Sequence, residues 1–135
     1  MRVHGHAWDG VFTLPSRQDS VAVARHRVGA ELQRRSVSDD LCDMAVLLMS
    51  ELFTNAVLHT ASAQISCEVR VTSAHVRLDV HDQGAQDGAL SPRCPDSRAE
   101  GGRGLLLVDT LSEAWGVTAR AGGIGRTVWA VLPRI

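Results

Sequence analysis

Residues 64–82 alternate between apolar and polar side chains. Ile65, Cys67, Val69 and Val71 interleave with Gln64, Ser66, Glu68 and Arg70. After Ser73-Ala74, Val76, Leu78 and Val80 interleave with His75, Arg77, Asp79 and His81. A period of two sends one set of side chains to each face of a strand. Two such runs joined by a tight link specify a hairpin with one dry face and one wet face. That pattern belongs to an antiparallel sheet covered by helices on one side only. Asp82 shares the parity of Val76, Leu78 and Val80 and therefore points inward, where an unpaired carboxylate is costly.

The other segments supply what covers the sheet. Residues 11–14 read as a short strand stopped by Pro15. Ser16 is placed to cap a helix over about 17–35, with Val21, Ala24, Val28 and Leu32 as its apolar stripe. Ser38, followed by Asp39 and Asp40, is a second N-cap with acidic residues in the first turn, opening a long helix that ends near His59. Between 83 and 103 the hydrophobic period is lost to Gly, Pro, Asp, Ser and Arg, the composition of a long functional loop. A short helix is expected from near Gly104 to before Glu113. A final hairpin over 115–119 and 126–132 turns through Gly122-Gly123. The order β-α-α-β-β-loop-α-β-β predicts an α+β two-layer sandwich. Its sheet is mixed but mostly antiparallel, with the helices on one face. Trp115 and Trp129 are expected in the core, His59 as a packing residue at a helix C-terminus, and His81 at the surface.

The long helix carries an anomaly. Glu51 and Asn55 stand one turn apart, within roughly 40° of each other at about 100° per residue. Met44, Leu47, Leu48 and Leu58 surround them on that face. An unpaired buried polar group costs on the order of 1–3 kcal/mol, and a charge costs more. Taken alone, Glu51 could simply pair with an Arg of the first helix.

Bulk properties remove several classes. At 135 residues the chain is long enough for one domain with a real core, residues 1–135. A net charge of −1 gives no global field for nucleic acid or an anionic membrane. Cys42, Cys67 and Cys94 form no C-x-x-C pair, which suits free thiols in a reducing cytoplasm. The N-terminus has no signal-peptide core, and the apolar run 44–49 is too short to span a bilayer. His4 and His6 read as a frayed terminus. All 14 basic residues are Arg, so a P-loop, which needs Lys, is excluded. Leu107 stands where a G-x-G-x-x-G dinucleotide motif beginning at Gly102 would need glycine.

Three features then fall in order: Glu51-x-x-x-Asn55, Asp82-Gln-Gly84, and Gly101-Gly-Arg-Gly-Leu105 leading into a helix. Gly125-Arg-Thr127 follows at the last strand. Each has a use around a nucleotide. An inward Asp at a strand end can accept a hydrogen bond from the adenine amino group. Gly84 lets the base approach the backbone, although Asp82 could equally brace the Gln83-Gly84 turn. Glycines at a helix start offer amide N–H groups to phosphate oxygens, if they are more than a flexible loop. Asn55 offers a hard oxygen to Mg²⁺, and Glu51 can accept a proton from an attacking hydroxyl.

This combination resembles the Bergerat-fold, histidine-kinase-like ATPases. Glu51-Leu-Phe-Thr-Asn55-Ala-Val-Leu-His59 is similar to their N box. Asp82-Gln-Gly84 and Gly102-Arg-Gly104-Leu105 are similar to their two glycine boxes. With Trp115-Gly116 and Gly125-Arg-Thr127-Val-Trp129, the chain looks most like the anti-sigma-factor serine kinases and related stand-alone ATP-binding regulators. The likeness extends from about 13 to 133. It implies ATP and Mg²⁺ as cofactors, Glu51 as general base and Asn55 as metal ligand. Asp82 and Gly84 would read adenine, and Gly102, Arg103, Gly104 and Leu105 would line the triphosphate. Thr127 would hydrogen-bond near the base or its water, and residues 85–101 would form the ATP lid. It also implies a homodimer that binds a sigma factor or a small antagonist carrying the target serine, with no direct nucleic acid and no membrane. Two other functions fit the same boxes: a catalytically silent, nucleotide-gated binding switch, and a detached histidine-kinase catalytic domain acting on another chain.

Overall fold

A computed structural model describes residues 10–60, 62–82, 102–119 and 125–134, with the backbone alone for 102–105. His4, His6, Gln83, Gly84, the expected lid, Cys94 and the Gly122-Gly123 turn lie outside the described residues. The elements are β1 (Val11–Pro15), α1 (Ser20–Arg34), α2 (Asp39–His59), β2 (Gln64–Val71), β3 (His75–Asp82), α3 (Gly102–Leu111), β4 (Ala114–Ala119) and β5 (Arg126–Pro133).

The five strands form one sheet in the order β1-β2-β3-β5-β4, and all four neighbouring pairs are antiparallel. β5 therefore lies between β3 and β4, flanked by the strand that ends at Asp82 and by its own hairpin partner. Phe12, Ile65, Cys67, Val69, Val76, Leu78, Val80, Val128, Ala130 and Leu132 are buried on the inner face. α2 packs on β3 and β5, with α1 and α3 on either side of it. This is the α+β two-layer arrangement that the alternation implies.

Helix boundaries follow capping chemistry. The Ser38 side chain accepts from the Leu41 amide at 3.3 Å and starts α2, as its position predicts. Ser16 does not cap α1. Its amide donates to the Ala63 carbonyl, residues 16–19 form turns, and α1 begins after Asp19. The Asp19 carboxylate is held by Arg17 at 3.1 Å rather than by helix amides. At the other end, Val37 N–H donates to the Leu32 carbonyl and Ser36 N–H to the Gln33 carbonyl, with Ser36 at φ 61°. That is a Schellman closure with serine where glycine is usual.

By length and composition α2 could cross a bilayer, with mean hydropathy 1.6 over 18 of its 21 residues. Leu48, Met49, Leu52, Phe53 and Ala56 are instead sealed inside the fold, so α2 is the core helix. Cys42 and Cys67 are buried and unbridged. Burial pushes the Cys67 thiol up to about 12, against a small opposing effect of Arg27.

The outer face is less wet than its sequence suggests. Asp79 is only 1% exposed. Arg77 clasps its carboxylate at 3.0 Å and lies 4.8 Å from the centre of the Trp129 ring. Trp129 is therefore not a core residue. It lies on the outer face, where a Cβ on Gly116 would stand 2.9 Å from its ring. Trp115 does pack on the core and donates from Nε1 to Asp109 at 2.9 Å.

Glu31 is the buried carboxylate of α1. Burial alone would raise its pKa, but hydrogen bonds and charges from Arg34 (2.7 Å) and Arg35 (2.5 Å) together hold it below the usual carboxylate range. A depressed folded-state value means stability fully present above the unfolded value and lost as pH falls through the folded one. Glu31→Gln should lower stability at pH 7 by about 1 kcal/mol. In urea unfolding measured from pH 7 to pH 3, the gap to native should be constant down to about 4.5, the ordinary value, and then close. A gap that persists unchanged at pH 3 would refute the assignment.

Candidate functional site

Asp82 ends β3 on the inner face with its side chain fully buried. Directly opposite it in the β3–β5 register stands Arg126. The Arg126 Nε donates to Asp82 Oδ2 at 3.2 Å, and the Arg126 side chain is 12% exposed. Its Nη2 is buried with no hydrogen-bond partner. The inner end of the sheet thus holds a buried ion pair with one unused donor.

Thr127 is on the other side. It pairs in register with His81, and its Oγ1 lies 2.7 Å from His81 Nδ1 on the outer face. Adjacent strand residues face opposite ways, so the Thr127 hydroxyl and the Asp82 carboxylate are separated by the sheet. The β5 residue on the same face as Asp82 is Arg126, whereas Thr127, expected near the base, has its hydroxyl on the opposite face. The signal was in the sequence. Val128, Ala130 and Leu132 are the inward residues of β5, and Arg126 shares their parity. His81 is half-buried against Thr127 rather than freely solvated.

α2 brings its polar pair to the same layer. Asn55 is 8% exposed, one turn from the half-buried Glu51. Neither side chain has a hydrogen bond or ion pair among the described residues. Of the arginines in and just after α1, Arg34 and Arg35 hold Glu31 and Arg27 lies over the Phe12 ring. Leu47 and Leu58, on the same side of α2, are 40% and 51% exposed, so this face is open rather than sealed in the core.

α3 starts at Gly102, two residues before the expected start. Gly102, Arg103, Gly104 and Leu105 form its first turn, where backbone N–H groups have no partner within the helix. α3 packs against α2. Asp82 and Arg126 lie on the inner face of the sheet, Glu51 and Asn55 on the helix that packs on β3 and β5, and the glycine-bearing start belongs to the helix packed beside it. Among the described residues no three His, Cys, Asp or Glu come together as a metal cage.

The sequence matches the histidine kinase-like ATPase domain family over residues 14–132. The chain belongs to that family. The ATPase domain matches no curated protein sequence. Among solved structures it is similar to a chain in the crystal structure of the SiaB–SiaC complex from Pseudomonas aeruginosa, at 12% identity and a TM-score of 0.66. That likeness covers 98% of this chain and 99% of the other, and it is a likeness of fold. Family membership implies ATP as the ligand of the domain.

The buried pair gives a stability prediction for the ATPase domain. Removing one partner of a buried ion pair leaves the other uncompensated, at about 3 kcal/mol or more. Asp82→Leu and Arg126→Met should each cost about that much in urea unfolding, while the double variant should recover most of the loss. Additive losses in the double variant would show that the pair is not coupled.

Proposed function

We propose that this protein is an ATP-dependent serine kinase of the anti-sigma-factor type, which phosphorylates a small antagonist protein to control transcription. The observation that carries this reading is the state of Glu51. It is a carboxylate with no partner among the described residues, one turn from Asn55 and exposed enough to meet a substrate. A purely binding module has no use for an unpaired base at that position.

In this reading Asp82 and Gly84 meet the adenine, and the first turn of α3 meets the phosphates through backbone amides and the helix dipole. Asn55 would hold Mg²⁺, which neutralises charge on the phosphates when bound. The target serine hydroxyl gives its proton to Glu51 as its oxygen bonds to the γ-phosphorus, and the bond from that phosphorus to the bridging oxygen of ADP breaks. Catalysis rests on positioning more than on covalent participation by the protein.

The neighbouring SiaB–SiaC structure is a complex of two proteins, which supports a protein partner for this chain as well. Free buried thiols at Cys42 and Cys67 suit a cytoplasmic setting. A homodimer is part of the same reading by resemblance.

Transfer from γ-labelled ATP with Mg²⁺ into lysate proteins tests this. Native protein should label one small band. Glu51→Gln should bind ATP as tightly in calorimetry and lose transfer by about 100-fold or more. Equal labelling by the variant would remove Glu51 as the base. Bound ATP with no labelled protein would replace the kinase with a nucleotide-gated binding switch.

A further inference from the structure

The Asp82–Arg126 pair carries a consequence for base recognition, resting on the ATP-binding reading above. A carboxylate oxygen has two acceptor sites, so accepting from Arg126 Nε does not exhaust Asp82. The Arg126 Nη2 lies on the same edge of the guanidinium as Nε, is buried, and has no acceptor. Native structures rarely leave such a donor unmade, and one beside a candidate ligand site calls for an acceptor from the ligand.

Adenine has the complementary edge. Its exocyclic amino group donates, and a ring nitrogen acceptor stands next to it on each side, N1 and N7. A carboxylate with an adjacent guanidinium N–H presents an acceptor and then a donor, the complement of that edge. We propose that Arg126 is a specificity-determining residue: its Nη2–H donates to the adenine ring nitrogen beside the amino group that Asp82 accepts. Two charged side chains from neighbouring strands then read the base together. The cross-strand register holds them in place before the nucleotide arrives.

The pair does not act as a bolt across the site. A bolt would have to open for adenine to reach Asp82, whereas a reader keeps its Nε contact and adds one through Nη2. The two roles predict opposite signs when Arg126 is removed.

Calorimetric titration of native protein with ATP, 1-deaza-ATP and 7-deaza-ATP, each with Mg²⁺, tests the assignment on the full chain. Each deaza compound replaces one ring nitrogen with C–H and keeps the amino group. One of the two should bind roughly tenfold or more weakly than ATP, the usual effect of losing a hydrogen bond to a charged donor. Arg126→Met should bind ATP about that much more weakly and should no longer distinguish that analogue from ATP. Equal binding of all three by native protein would overturn the proposal. So would tighter ATP binding by Arg126→Met, which would make the arginine a competitor for Asp82. If Arg126→Met fails to fold, the native series decides alone. If native protein binds none of the three, the ATP reading itself is wrong and this inference falls with it.

Discussion

β5 runs antiparallel between β3 and β4, and its register on β3 is the constraint on which the rest of the site depends. With Val80 opposite Val128 and Leu78 opposite Ala130, the inner faces of both strands are apolar up to their ends. The next inner pair is Asp82 and Arg126. A slip of one residue would move Arg126 and the three buried apolar residues of β5 to the outer face and bring Thr127 and Trp129 inward. The burial of Val128, Ala130 and Leu132 therefore holds the charged pair in place. The apolar burial and the placement of the charged pair rest on the same register.

A buried carboxylate is usually a poor choice for stability, because its desolvation offsets much of the attraction to its partner. Among the described residues β3 carries two, on opposite faces of the sheet and held by different means. Asp79 is clasped by Arg77 on the outer face, where the Trp129 ring and the arginine stem help exclude water. Asp82 is met by a guanidinium that itself keeps an unused donor. The first arrangement uses both carboxylate oxygens against one guanidinium, whereas in the second the guanidinium keeps a buried Nη2 without an acceptor. That difference, together with Glu51 and Asn55 on the adjoining helix, is what makes the inner face the candidate site.

Much of this was legible in the chain because periodicity reports burial. The alternation of 64–82 gave the hairpin and the inward Asp82, and Ser38 gave the start of α2. Other features depend on contacts between distant segments and leave weaker traces. Nothing local says that Asp79 is buried on the polar face, since its cover comes from Arg77 and from Trp129 fifty residues on. Asp19 displaced Ser16 at the start of α1 because residues 16–19 turn first, tied to Ala63 on another segment. The pairing of Arg126 with Asp82 was readable from strand parity. The family resemblance pointed to Thr127 instead, and the register shows how one residue of offset reverses a side chain.

On the proposed reading, nucleotide binds on the inner face, among Asn55, Asp82, Arg126 and the first turn of α3. Backbone and arginine side-chain NMR spectra of native protein, with and without Mg-ADP, test it most directly. The largest shifts should fall on Asn55, Asp82, the amides of Gly102 and Gly104, and the Arg126 Nε–H. Shifts concentrated on Arg77, Asp79, His81 and Trp129 would place the ligand on the outer face and contradict it.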